Sequence, residues 1–185
     1  MSLGTRFVRK LAANNALANA RLARAVAALP QAEFEAQRVS FFPSLKATLN
    51  HILTIDRFYI DALHGGTLGP KAWEDPEPYD TAEALYAAQR QSDLALFAFC
   101  RALSEDDLAR PVAIHRRTRI QTERADDVLS HLFQHQTHHR GQVHAMLSGT
   151  AVAPPQLDEF IVADDAKYRV EEIAAFGWDE TVLEC

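Results

Sequence analysis

The sequence predicts an all-α protein: a four-helix bundle with crossover connections and a C-terminal tail packed on the bundle. Four segments of about 20 to 25 residues repeat apolar side chains with the period of an α-helix. The connections between them collect most of the prolines and are long enough to cross the bundle. No internal repeat or linker interrupts the chain, so residues 1–185 are predicted to form one domain.

The first two helices are delimited by prolines and glycines. Residues 5–29 are rich in Ala, Leu and Arg, which favour helix, and Pro30 ends that segment. The second segment, residues 44–66, follows Pro43, a residue whose missing N–H costs little at a helix start. It finishes at a Gly-Gly pair, which is a common C-terminal stop.

The third helix is predicted to begin at Asp80 or Thr81 and to run to Leu103. Asp80 followed by Glu83 has the form of an N-cap with an acidic first turn. Residues 104–121 include "PVAIHRRTRIQ", which alternates loosely between apolar and polar side chains. We therefore expect a short extended excursion or a hairpin there.

The fourth helix is expected from Thr122 or Glu123 to Leu147, ending at Gly149. Two prolines at 154–155 prevent its continuation. The remaining residues are predicted to return across the bundle, with one further short helix as an option.

Charge and composition exclude some classes of protein. The formal net charge of −6 argues against a nucleic-acid partner, because such partners require a surface that neutralises phosphate. A basic stretch at residues 110–119 lacks an aromatic platform and is interpreted as a solvated loop or hairpin. No apolar run is long enough for a membrane span, so no membrane partner is expected.

The two cysteines, Cys100 and Cys185, are interpreted as reduced thiols because they lie far apart and outside any disulfide pattern. The N-terminal residues do not resemble a signal peptide. Together these features predict a cytoplasmic protein.

Five of the eight histidines fall in residues 130–147. On a helical wheel, His139 lies roughly 40° from His135, and both lie inside the apolar stripe of the fourth helix. His131 and His138 lie at the polar margin of that stripe, and His144 lies on the opposite side.

Two imidazoles one turn apart on a core-facing stripe can bind one metal ion. The alternative is a pair of core histidines satisfied by hydrogen bonds. His51, on the core-facing side of the second helix, is the candidate for a third ligand. His64 and His115 are expected at surface or end positions.

Two motifs resemble those of the DinB-like family. "NHILTIDRFYIDAL" is similar to its motif LNHLLxxDRxW, and "HQTHHRGQVHAML" contains HxxxHRGQ. Weaker matches are "NALANARL", through Asn15 and Asn19, and "PPQLDEFIVADD" near the C-terminus.

The resemblance implies a divalent-metal site at His51, His135 and His139. Zinc or nickel are the first candidates, with iron or copper as alternatives, because three imidazoles suit all of them. Three ligands leave an open position, the pattern of a catalytic site. Gln142, Asp158 and Glu159 are candidate hydrogen-bond partners of the ligands. The alternatives are an interhelical hydrogen bond for Gln142 and a tail-docking contact for the two carboxylates.

The resemblance also implies a function in detoxification or small-molecule metabolism. Family members with known activity are S-transferases of low-molecular-weight thiols such as bacillithiol or mycothiol, and related members act as isomerases or hydrolases. A metal-dependent thiol S-transferase acting on a small-molecule substrate is therefore the first hypothesis. A non-catalytic metal-binding or stress-response protein is the alternative, and a bundle whose histidines bind nothing is a third.

Assembly is expected to be a homodimer, as is common among relatives. Leu49, Leu53 and Ile60 lie roughly opposite His51 on the second helix and add apolar surface beyond one core-facing stripe.

Overall fold

The regular structure is almost entirely helical. A computed structural model describes residues 2–183. The α-helices are α1 (Leu3–Ala27), α2 (Gln31–Glu35), α3 (Leu45–Leu63), α4 (Ala82–Ala102), α5 (Glu105–Leu108), α6 (Ala125–Leu147) and α7 (Val170–Ala175). An antiparallel hairpin of β1 (Pro111–His115) and β2 (Ile120–Arg124) precedes α6, and short 3₁₀ turns occupy Gly69–Trp73, Ala163–Tyr168 and Glu180–Leu183.

The four long helices form the predicted bundle. Helix α1 packs against α4 and α6, and α3 packs against the same two helices, so α1 and α3 occupy opposite corners. The chain therefore crosses a diagonal of the bundle twice. Residues 28–44 make the first crossing and include α2; residues 103–124 make the second and include α5 and the hairpin. The predicted fold class is confirmed.

The apolar stripes of the long helices meet in the bundle core. Leu17, Leu53, Leu96 and Leu132 are at most 1 % exposed, and each such burial contributes about 1.5–3 kcal/mol. Leu53 and Ile60 are both buried by the chain's own neighbouring helices. The surplus apolar surface that suggested a dimer is thus covered within the chain for these two residues.

The C-terminal tail packs on the bundle as predicted. Phe160 is fully buried, and the short helix α7 contacts α1. Arg21 of α1 forms ion pairs with Glu159 at 2.6 Å and Glu172 at 2.9 Å. Arg169, 1 % exposed, donates from Nη1 to two tail carbonyls and pairs with Glu180. The Arg21 ion pairs hold the tail along α1, and the Arg169 contacts join segments of the tail to one another.

The start of α4 agrees with one of its two predicted positions, whereas the start of α6 differs from expectation. The N-cap of α4 is Thr81, whose hydroxyl accepts from the backbone N–H of Ala84 at 3.2 Å. Asp80 is instead exposed and pairs with Lys46 at 2.7 Å, so its predicted capping role is wrong. Helix α6 begins at Ala125, because residues 120–124 pair with β1 as the second strand of the hairpin.

Two expectations from composition can be compared with the structure. Cys100 is buried and free, whereas Cys185 lies outside the described residues. Within residues 2–183, every helix is too short or too polar to cross a bilayer.

Candidate metal centre

Two adjacent helices bring the three predicted histidines together. His51 lies on α3, and His135 and His139 lie one turn apart on α6, which packs against α3. The Nε2 atoms of His51 and His135 are 3.0 Å apart. One nitrogen from each of the three rings lies within 4.8 Å of the others. These three residues are called the histidine trio below.

The trio has the geometry that an imidazole-bound metal ion needs. Nitrogen ligands bind zinc at about 2.0–2.1 Å, so two of them stand roughly 3.4 Å apart around a tetrahedral ion. The 3.0 Å pair and the upper limit of 4.8 Å lie on either side of that spacing. Within residues 2–183, the group contains three donors and no carboxylate or thiolate. The residues therefore fit a divalent transition metal with at least one open coordination position.

Gln142 orients one ring of the trio. Its side-chain carbonyl Oε1 lies 2.8 Å from Nδ1 of His139. A carbonyl oxygen only accepts, so Nδ1 of His139 carries the proton and Nε2 presents its lone pair. The amide nitrogen of Gln142 donates to Nε2 of exposed His138 at 3.2 Å. The predicted partner role of Gln142 agrees with this arrangement.

The tail carboxylates do not reach the trio. Glu159 pairs with Arg21 of α1, and Asp158 accepts from Gln156 within the tail at 2.5 Å. Neither carboxylate therefore orients a ligand, and Glu159 instead makes the tail-docking contact that was the alternative interpretation. The tail follows α1, whereas the trio lies between α3 and α6.

Replacing Gln142 with leucine is expected to weaken metal binding about 10- to 100-fold, the usual effect of losing the group that orients a metal-binding histidine. Competition with a chromogenic chelator measures this change. Gln134→Leu, at an exposed position of the same helix, is the matched control. Equal affinities of the two variants would contradict the orienting role.

The local electrostatics keep the trio neutral. Burial, with a contribution from His139, lowers the pKa of His51 to about 4. Burial and the neighbouring imidazoles lower the pKa of His135 to about 3. Burial also lowers the pKa of His139, partly opposed by Gln142. A histidine binds a metal ion in its neutral form, so at neutral pH the three side chains are in the protonation state that metal binding requires.

The metal-free protein is expected to lose stability as the pH falls below about 6.5, the pKa of an unfolded histidine. Below that value the unfolded chain binds protons that folded His51 and His135 do not bind, and the loss continues until the pH approaches about 4 for His51 and about 3 for His135. Urea unfolding between pH 7 and 4.5 measures the slope. A His51→Gln/His135→Gln variant should show a shallower slope, and an equal slope would contradict the assignment.

Aromatic rings border the trio on two sides. The ring of Phe42, in the connection before α3, lies 4.2 Å from the ring of His51 and 5.6 Å from that of His139. The exposed ring of His131 lies 6.2 Å from that of His135. The contact with His131 follows from helical periodicity, because His131 lies one turn before His135. The contact with Phe42 does not, although the aromatic pair "FF" directly before Pro43 is a visible sequence signal.

Two cavities flank the site along α6. One, of about 260 Å³, lies towards the hairpin and includes His131 in its lining. The other, of about 500 Å³, includes Gln142 together with Val39, Phe41 and Met146. The trio thus lies between a cavity rich in charged groups and one with more apolar side chains.

The remaining histidines have separate positions. His64 is the exposed C-cap residue of α3, and His115 is the last residue of β1. His144 points to the tail, where its Nε2–H donates to the carbonyl of Pro155 at 3.1 Å. All three positions agree with the expectation that these side chains lie outside the trio.

A buried polar network connects all four long helices beside the trio. Gln89 of α4 donates to Asp56 at 2.7 Å and to Asp93 at 3.0 Å. Arg140 of α6 donates to Asn19 of α1 at 3.0 Å. The network comprises Asn15, Asn19, Asp56, Gln89, Asp93, Gln136 and Arg140.

Burial shifts the ionisable members of this network. Burial, with a contribution from the charge of Asp93, raises the pKa of Asp56 to about 8. Burial raises the pKa of Asp93 to about 7 and lowers the pKa of Arg140 to about 10. The guanidinium of Arg140 opposes the upward shifts of both carboxyls. Asn15, Asn19, Asp56 and Arg140 lie within the motifs noted above, so this part of those motifs builds the core beside the site.

The fold and the trio define a class: helical-bundle proteins with a three-histidine group that could hold a metal ion. The model of the DinB family matches residues 1–172. The chain belongs to the DinB family.

Individual relatives agree with this membership. The chain is 28% identical over 155 residues to Protein DinB of Bacillus subtilis (strain 168), covering 80% of this chain and 90% of the relative. A crystal structure of a DinB-like protein from Bacillus cereus ATCC 10987 superposes with a TM-score of 0.58 at 16% identity. That match covers 75% of this chain and 89% of the other, and it establishes a shared fold.

Proposed function

We propose that this protein is a metal-dependent enzyme that transfers a low-molecular-weight thiol to small electrophiles. His51, His135 and His139 are the proposed ligands of a divalent transition metal, with zinc or nickel as first candidates and iron or copper as alternatives. The proposed setting is cytoplasmic detoxification or small-molecule metabolism.

The observation that carries the proposal is the trio itself. Three neutral imidazoles without a further donor in the group correspond to an open site, and a structural zinc site is normally closed by four protein ligands. A divalent ion bound there would lower the pKa of a bound thiol and so supply a thiolate at neutral pH.

The chain's own groups favour a nucleophile that comes from the substrate. Burial raises the pKa of the Cys100 thiol to about 12, so this cysteine is inert. Phe42 packs against the ring of His51 and so supplies an apolar surface beside the trio. In the proposed reaction a carbon–sulfur bond forms, the carbon–halogen bond of the electrophile breaks, and the thiol proton leaves with the halide.

A non-catalytic metal-binding or stress-response role is the second candidate. The hydrogen bonds of the trio favour the non-catalytic role, because within the part of the chain that the structure describes they include no acid or base next to the proposed metal ligands. Among residues 2–183, the only side chain outside the trio that is hydrogen-bonded to a trio ring is the Gln142 amide, which does not transfer protons.

Turnover separates the two candidates. Metal-loaded protein is incubated with the fluorogenic electrophile monochlorobimane and, in turn, cysteine, bacillithiol, mycothiol and other low-molecular-weight thiols. We expect metal-dependent conjugation with at least one thiol, and none in a His51→Ala/His135→Ala/His139→Ala variant. Metal binding without a rate above that of the variant, for every thiol, would favour the non-catalytic role.

We also propose a homodimer. Val39 and Phe41 are large exposed apolar side chains on the connection between α1 and α3 and could contribute to an interface. Light scattering of the metal-loaded protein should give twice the 20.6 kDa mass of the chain. A mass equal to one chain at all concentrations would contradict the dimer.

A further inference from the structure

We infer that the cavity between the hairpin, α3 and α6 binds the zwitterionic α-amino acid group of the thiol substrate. This inference rests on the proposed function and names the chemical class of its thiol. The cavity, called the hairpin cavity, has a volume of about 260 Å³ and is lined by Tyr59, Ile114, Arg116, Gln121, Glu123, Asp127, Val128 and His131.

Opposite charges line this cavity without neutralising each other. The guanidinium of Arg116 donates to the neutral oxygens of Gln121 at 3.0 Å and Tyr59 at 3.3 Å. Glu123 accepts from the amide of Gln121 at 2.7 Å. Among residues 2–183, none of the ion pairs involves Arg116, Glu123 or Asp127. One cation and two carboxylates therefore remain available to a ligand.

This charge pattern selects a particular ligand chemistry. Arg116 can receive a carboxylate through two parallel hydrogen bonds, and Glu123 and Asp127 can receive an ammonium group. An α-amino acid group carries both charges on neighbouring atoms. A simple dianion would meet two carboxylates, and a simple amine would meet a guanidinium, so a zwitterion matches the lining better than either.

The position of the cavity relates it to the trio. His131 lies in the lining, one helical turn before His135, and the two ring centroids are 6.2 Å apart. The ring of Tyr59 lies 5.1 Å from that of His131. Buried Ile114 and Val128 provide an apolar wall for the methylene groups of the ligand. A thiol anchored here by its amino acid group is held beside the proposed metal ligands.

Binding of S-methyl-L-cysteine tests the inference without turnover, because the methyl group blocks the thiol. Its titration is followed by ¹H–¹⁵N chemical-shift changes of the hairpin and the start of α6. We expect Arg116→Met to weaken this binding at least roughly 10- to 100-fold, because it removes the charge-assisted hydrogen bonds to the carboxylate. Glu123→Gln/Asp127→Asn should weaken it similarly, and Arg117→Met, at the exposed hairpin tip, should not.

Modified ligands test each charge separately. N-acetyl-S-methylcysteine lacks the ammonium group and the methyl ester of S-methylcysteine lacks the carboxylate, so both should bind more weakly. S-methyl-γ-glutamylcysteine carries the same α-amino acid group farther from sulfur, and its affinity relative to S-methylcysteine distinguishes a peptide thiol from cysteine itself. Equal binding of the blocked and unblocked ligands would overturn the inference.

The histidine triple variant keeps this test independent of the proposed enzyme activity. It retains the hairpin cavity, so it should bind S-methyl-L-cysteine as the wild type does, even if neither protein catalyses transfer. Absence of binding to the wild type, or binding unaffected by Arg116→Met in a variant whose thermal unfolding is unchanged, would overturn the inference while leaving the metal site to its own test.

Discussion

Replacing His135 with alanine is expected to reduce metal affinity more than 100-fold, beyond the roughly 10- to 100-fold loss typical of an orienting residue. Each ring of the trio is in contact with the other two, so replacing His135 removes one of three mutually adjacent donors. Without it, two donors on different helices remain. Metal content after dialysis, measured by mass spectrometry, should fall from about one ion per chain to a small fraction.

The same change should remove the stabilisation that the metal provides. A metal ion held between α3 and α6 binds the folded chain and not the unfolded chain. Adding the metal should therefore raise the unfolding temperature of the wild type. His135→Ala should show no such rise on adding metal. His64→Ala, at the exposed end of α3, is the matched control and should behave like the wild type. Equal metal content and equal stabilisation in all three proteins would refute the metal site.

Replacing Arg140 with methionine is expected to lower the free energy of unfolding by about 3–5 kcal/mol at pH 8, the usual cost of removing one partner from a buried charged group. The loss should be smaller at pH 5, because folded Asp56 and Asp93, with pKa values of about 8 and 7, are protonated there already. Urea unfolding at the two pH values measures both effects.

A second substitution tests the cause of that loss. Adding Asp93→Asn to Arg140→Met removes one of the stranded carboxyls and should restore part of the stability at pH 8. Arg117→Met, on the exposed hairpin tip, should change the free energy of unfolding by less than about 0.5 kcal/mol. A loss that is independent of pH and unrelieved by Asp93→Asn would show that Arg140 acts through packing alone.

Much of the fold could be predicted because helical periodicity is a local property. The apolar stripes indicated the four long helices, and the alternation in residues 111–121 indicated an extended excursion or a hairpin. The ends of the helices were less predictable. Both Asp80 and Thr81 are residue types that cap a helix, and in the structure Asp80 pairs with Lys46 while Thr81 caps α4. The start of α6 depended on strand pairing across the hairpin, which periodicity does not report.

The trio could be placed from the sequence because His135 and His139 lie within an apolar stripe, and the family motif supplied His51. The buried polar network that includes Asp93 could not be placed from the sequence, because its members come from four different helices. Gln89 and Asp93 do interrupt the stripe formed by Leu85, Leu96 and Cys100, and that interruption was the available signal. Asp158 and Glu159 were misplaced because the path of a tail over a bundle depends on tertiary packing.

The hairpin has a consequence for how this family can diversify. Arg116, Gln121 and Glu123 belong to an excursion of the chain, whereas the trio belongs to α3 and α6. Under our inference, substrate choice and metal chemistry are then encoded in separate stretches of sequence. A hairpin transplanted from a relative could change the accepted thiol while the helices that hold the trio stay as they are. Because of this separation, substrate specificity can change through replacement of a short stretch of sequence, without changes to the helices of the bundle.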